Sequence, residues 1–92
     1  MANNIVDIPN DQIAKLDFKD TIGRPPEVQQ AIRQQLKSTM VRPMGRRQKL
    51  KIIFETKRGF FQVTTKLLSL GNGYTTVNGG HDIPLESIVK VD

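Results

Sequence analysis

The sequence predicts a mainly β domain of the α+β class, in which one amphipathic helix precedes five short strands that close into a small barrel. Residues 49–92 are a series of short apolar runs separated by glycine-containing turns, a spacing typical of small sandwiches and barrels. Residues 25–41 instead repeat apolar side chains every fourth position, which indicates a helix. The length of 92 residues fits a single domain.

The first 24 residues predict an N-terminal arm that forms a short strand or a short helix. Residues 5–8 are apolar enough for a strand or an apolar tether, and Pro9-Asn10-Asp11 is a turn or helix-start signal. Phe18 is the side chain that we expect to attach the arm to the core.

The segment 25–41 predicts an amphipathic helix of about four turns. Proline is tolerated in the first helical turn, so Pro25 and Pro26 mark its start, and Pro43 cannot continue it. Its apolar stripe consists of Val28, Ile32, Leu36 and Met40. We expect this stripe to cover the domain core as a lid; the alternative is a dimerisation face that makes the chain a homo-oligomer.

Within residues 49–92, the apolar side chains predict which face of each strand is buried. Leu50, Ile52 and Phe54 alternate with polar residues, so they share one face. In residues 60–70 the apolar face changes midway, which predicts a strand that is bent or bulged and contributes to two sheets. Gly71-Asn72-Gly73 predicts a tight hairpin with positive φ angles.

Positive charge is concentrated in one part of the chain. Residues 42–58 contain seven basic residues and a single acid, Glu55, whereas the whole chain has a net charge of +5. Residues 42–48 predict a basic linker, where guanidinium groups can bind phosphates at two points. The sequence therefore predicts binding of RNA or DNA, and the alternative is a structural or protein-interaction module with an acidic protein partner. The candidate nucleic-acid-binding residues are Arg42, Arg46, Arg47, Lys49, Lys51, Lys57 and Arg58.

Several classes of function find no support in the residue content. The chain has no cysteine and only one histidine, His81, so we expect no metal site and no bound cofactor. Neither Ser69 nor Ser87 lies in a nucleophile motif, and we expect a protein that is not an enzyme and has no catalytic residues. No signal peptide and no apolar run of about 20 residues is present, which predicts a cytoplasmic protein without membrane contact.

The order of helix, long strand, bent strand, hairpin and closing strand resembles the SH3-like small barrels, which include the Sm-like RNA-binding proteins. Residues 83–91, Ile-Pro-Leu-Glu-Ser-Ile-Val-Lys-Val, resemble the closing segment of these barrels, and the layout also resembles short uncharacterised bacterial proteins. The resemblance implies a five-stranded SH3-like barrel over residues 49–92. Sm-like proteins carry an aspartate and an asparagine for base contact where this chain has residues 64–68, Thr-Thr-Lys-Leu-Leu, so it implies no site residues here.

Overall fold

A computed structural model describes residues 5–16, 18, 23–43 and 47–92. Along the chain the elements are β1 (Ile5–Ile8), an N-terminal 3-10 helix (Asn10–Lys15), α1 (Pro26–Val41), β2 (Leu50–Thr56), β3 (Gly59–Thr65), β4 (Leu67–Leu70), β5 (Tyr74–Val77), β6 (His81–Pro84), a second 3-10 helix (Leu85–Ser87) and β7 (Ile88–Val91). The predicted class, α+β with mostly strands and one α-helix, is confirmed.

The strands form two sheets. The first has the order β1-β3-β2-β7 and the second has the order β4-β5-β6. β1 runs parallel to β3, while the other pairs are antiparallel. Over the described ranges no strand pairing joins the two sheets into a closed barrel, so the five-stranded closed barrel stays a prediction. The strand count also differs, because β1 adds an edge strand and the predicted bent strand is two strands.

The predicted bend lies at Lys66, where the chain passes from the first sheet to the second. β3 ends at Thr65 and β4 begins at Leu67. The backbone N–H of Asn78 donates to the carbonyl oxygen of Lys66 (2.9 Å) and to Oγ1 of Thr65 (3.2 Å). These bonds satisfy polar groups that leave the ladder at the corner, and they connect the corner to the end of β5.

The hydrophobic core fills the space between the two sheets. The predicted inward side chains Ile52 and Phe54 are fully buried, as is Val63 on β3. Fully buried side chains of the second sheet complete this core: Leu67, Val77 and Ile83. The ring of Phe54 also packs against that of Phe18, with 5.6 Å between centroids. Phe18 therefore attaches the N-terminal arm to the core, as the sequence predicts.

The N-terminal arm contains both elements that the sequence offered as alternatives. β1 pairs with residues 60–63 of β3, and the N-terminal 3-10 helix follows at once. Ile13, within that helix, is only 2% exposed and belongs to the core. The arm is therefore part of the packed domain.

Helix α1 packs on the core as a lid. Leu36 is fully buried and Ile32 nearly so, and the side-chain amide of Gln35 donates to the carbonyl oxygen of Val91 (2.6 Å). The buried stripe differs from the predicted one at both ends, because Val28 in the first turn is 38% exposed and Thr39 in the last turn is buried. Most side chains of the predicted dimerisation stripe are thus packed against the core of their own domain.

Among the glycines, positive φ angles occur at the β2–β3 turn and at the β5–β6 turn. Gly59 has a φ of 124°, and Gly79 and Gly80 have φ angles of 92° and 80°. The predicted positive φ angles at Gly71 and Gly73 are wrong, although the hairpin itself forms: the N–H of Gly71 donates to the carbonyl oxygen of Tyr74 (2.8 Å). Neither of these glycines has a positive φ angle, so the hairpin does not use the conformational freedom of glycine at either position.

We expect Leu36→Ala to lower the free energy of unfolding by about 2–5 kcal/mol, because it leaves a cavity under the helix. Gln34→Ala, on the exposed side of the same helix, is the control and should change stability by less than about 0.5 kcal/mol. Urea unfolding followed by circular dichroism measures both. Equal stability of the two variants would show that α1 does not cover the core.

We expect Gly59→Ala to destabilise the protein by about 1–3 kcal/mol, because an alanine at a φ of 124° is strained. Gly73→Ala is a matched control: a Cβ added at either glycine meets no atom within 4 Å, and Gly73 has no positive φ. The difference between the two variants in thermal unfolding therefore isolates the backbone conformation. A Gly59→Ala protein as stable as Gly73→Ala would contradict the assigned turn.

Candidate nucleic-acid interface

The structure places four of the predicted basic residues before or at the start of β2. Arg42 follows the end of α1, Arg47 lies in the linker, and Lys49 and Lys51 are exposed at the beginning of the strand. We name Arg42, Arg47, Lys49 and Lys51 the linker group. Arg46 lies outside the described residues.

Lys51 is directed away from the core by the alternation of β2. Its neighbours Leu50 and Ile52 are buried, whereas Lys51 is exposed and pairs with Thr64 of β3. Its backbone is also fixed on the other side, where its N–H donates to the carbonyl oxygen of Asp92 (3.1 Å) and its own carbonyl accepts from the N–H of Asp92 (2.9 Å). The position of Lys51 on the outer surface of the first sheet is therefore rigidly defined.

The remaining predicted residues lie at the opposite end of the same strand. Lys57 and Arg58 form the turn between β2 and β3, and we name them the turn group. A strand of seven residues is about 20 Å long at a rise of about 3.3 Å per residue. The basic segment is thus divided into two groups, which the sequence alone presented as one patch.

Between the two groups, the one acidic residue of the segment is neutralised by an ion pair. Glu55 on the outer face of β2 binds the guanidinium of Arg24, and their side chains are 17% and 24% exposed. The Arg24 backbone is held in turn, since its N–H donates to the carbonyl oxygen of Glu86 (3.1 Å) and its carbonyl accepts from the Gln29 side chain (2.8 Å). Glu55 therefore does not neutralise the linker group.

The cationic side chains of the linker group are exposed and have no ion-pair partner within the part of the chain that the structure describes. Arg58 of the turn group is in the same situation. Exposed cations without an ion-pair partner attract polyanions. This is the electrostatic feature that the predicted interface requires.

One further basic residue joins the linker group through the strand register. Leu50 pairs with Thr65 at the end of the β2–β3 ladder, and Lys49 and Lys66 each lie one residue beyond that pair. The two lysines consequently occupy the same end of the sheet. Sequence reasoning missed Lys66, because its proximity to Lys49 depends on the register of two strands and not on sequence spacing.

Two other basic residues line a pocket that the sequence did not predict. They are Arg33 and Lys37 of α1, of which Arg33 is half-buried and Lys37 is exposed. Both line a cavity of about 380 Å³ between α1 and β4, together with Met40, Val41, Ser69 and Leu70. The spacing of four residues between Arg33 and Lys37 was the available signal, since it places them on one side of a helix.

Aromatic side chains contribute little to the surface around the linker group. Phe60 is half-buried near the turn group, paired with Ile5 of β1 and Glu55 of β2. Tyr74 is 47% exposed but lies on the second sheet. Binding of single strands usually combines basic residues with aromatic stacking platforms. Here the arrangement favours contact with phosphates over contact with bases.

The described residues contain no group of three or more His, Asp or Glu side chains that could hold a metal ion. His81 is half-buried at the start of β6, where it pairs with Val77 of β5. None of the described helices combines the length and apolar character needed to cross a membrane.

Comparison of the chain with protein-family models, with curated proteins and with solved structures found no match in any of the three.

Proposed function

We propose that the protein is a small non-catalytic module that binds single-stranded RNA or DNA through its phosphates, with the linker group as the main contact. The observation that carries this proposal is the set of exposed cations at the start of β2 that have no ion-pair partner among the described residues. Lys66, which is half-buried, lies at the same end of the sheet through the register of β2 and β3.

The chemistry of the linker group suits phosphates. Arginine presents a planar fork that can bind two phosphate oxygens, whereas lysine acts as a point charge. Arg47 next to Lys49 and Lys51 combines both kinds of contact. Because the aromatic residues lie elsewhere, the expected binding depends strongly on salt and weakly on base sequence.

The fold is compatible with such a module. From one edge to the other the strands follow the order β7-β2-β3, continue through the corner at Lys66 into β4, and end with β5-β6. This continuous order supports the proposal that the two sheets are the halves of an SH3-like barrel, which β1 extends by one strand. The linker group lies where the helix leads into its first long strand.

We expect Lys51→Gln to weaken binding of short fluorescein-labelled RNA and DNA strands. The plot of log affinity against log salt should become less steep, its negative slope decreasing in magnitude by about 0.7. The double variant Lys49→Gln/Lys51→Gln should lower this magnitude by about 1.4, from two lost phosphate contacts. Fluorescence anisotropy at several salt concentrations measures both. The control Lys15→Gln also removes one exposed lysine, from the N-terminal 3-10 helix, and should leave the slope unchanged.

An equal effect of Lys15→Gln and Lys51→Gln would mean that only net charge matters and would refute a defined interface. If neither RNA nor DNA binds even at low salt, the proposed function is wrong. Binding of poly-L-glutamate in that case would point to the acidic-protein alternative. Arg58→Gln should have a smaller effect than Lys51→Gln, because the turn group lies at the far end of β2.

A further inference from the structure

The pocket between α1 and β4 combines positive charge with apolar surface. Its volume of about 380 Å³ lies within the range of about 300–1,000 Å³ that is typical of small-molecule sites. Six residues line it, and all belong to regular elements: four from α1 and two from β4. A site built on a helix and a strand is more precisely held than one built on loops.

The charged side of the pocket comes from two successive turns of the helix. Arg33 and Lys37 are four residues apart and therefore lie on the same side of α1. Neither side chain has an ion-pair or hydrogen-bond partner within the described part of the chain. Two uncompensated cations one turn apart favour an anionic group between them.

The apolar side of the pocket is left without cover. Val41 is 74% exposed, the most exposed large hydrophobic residue that the structure describes. Met40 and Leu70 line the same cavity and are partly buried against the core. A ligand with an aliphatic chain would bury this surface, which is favourable in proportion to the apolar area removed from water. The hydroxyl of Ser69 adds one polar group to the lining.

We propose that this pocket binds a small aliphatic anion, with its charged head at Arg33 and Lys37 and its chain along Met40, Val41 and Leu70. The head is a carboxylate or a phosphate monoester, since both present the oxygens that these side chains bind. The lining contains no aromatic side chain, which favours an aliphatic chain over a nucleobase. The site is separate from the linker group and does not depend on nucleic-acid binding.

Titration of the full chain with octanoate and with n-octyl phosphate, followed by amide chemical shifts, tests this proposal. We expect saturable shifts confined to residues around 33–41 and 67–71. Acetate and inorganic phosphate, which lack the chain, should bind much more weakly, and so should octylammonium, which carries the opposite charge. Saturation by octylammonium as readily as by octanoate would overturn the proposal, as would shifts confined to another part of the protein.

Variants distinguish the specific pocket from general attraction to a basic protein. Lys37→Gln should weaken octanoate binding about tenfold, because it removes a charge-assisted contact, whereas Lys15→Gln removes the same charge elsewhere and should have no effect. Ser69→Phe should abolish binding by filling the cavity, and the exposure of Ser69 allows the fold to be retained, which circular dichroism checks. If octanoate binds both pocket variants with unchanged affinity, the assigned site is wrong.

Binding to vesicles separates a free anion from a lipid head group. In the absence of octanoate, vesicles of phosphatidylglycerol should sediment the protein and its Ser69→Phe variant to the same extent, because the proposed ligand of the pocket is a free anion. Vesicle binding that is lost in the Ser69→Phe variant alone would instead indicate a lipid head group as the ligand and would overturn the proposal.

Discussion

The corner at Thr65, Lys66 and Leu67 is the constraint on which the rest of this structure depends. A single residue separates the last position of the first sheet from the first position of the second. Buried side chains of both sheets meet in one core cluster, and the N–H of Asn78 connects the corner to the end of β5 by donating to the carbonyl oxygen of Lys66 and to Oγ1 of Thr65. Thr65 is only 2% exposed, so an unsatisfied hydroxyl or carbonyl at this corner would be costly.

Two helical elements pack on the core that the two sheets share. Helix α1 contacts β7, β4 and the second 3-10 helix, while the N-terminal 3-10 helix contacts β6 and β3. Leu36 and Ile13 belong to the same core cluster as the strands. The helix thereby has two roles, since its buried side completes the core and its side with Arg33 and Lys37 forms the pocket against β4. The linker that leaves it carries the basic group to the start of β2.

Much of the fold could be predicted because it depends on local patterns. The period of two at Leu50, Ile52 and Phe54 gave the buried face of β2, and the change of face after residue 67 gave the bend. The parallel pairing of β1 with β3 could not be predicted, because it joins segments about 55 residues apart whose alignment leaves no local signal. The exposure of Val28 could not be predicted either: Val28 and Thr39 lie eleven residues apart on the same side of α1, and only the turns after Val28 are buried against the core.

The candidate site was only partly accessible from the sequence. The concentration of basic residues in 42–58 was visible, but its division into two groups follows from the length of β2. Glu55 is neutralised by Arg24, which lies 31 positions away in the sequence. The proximity of Lys66 to Lys49 follows from the register of β2 and β3. Each of these depends on tertiary structure, and each changes which lysines and arginines are available to a ligand.

One core unites the two sheets and the helix, and the corner at Lys66 connects the sheets. Native-state hydrogen exchange at increasing urea concentration tests it most directly, because it measures the free energy of opening for each part of the protein. We expect the core amides of β2, β5 and α1 to converge on one free energy of opening, equal to that of global unfolding. Exchange of β4, β5 and β6 through a separate opening of lower free energy would contradict it.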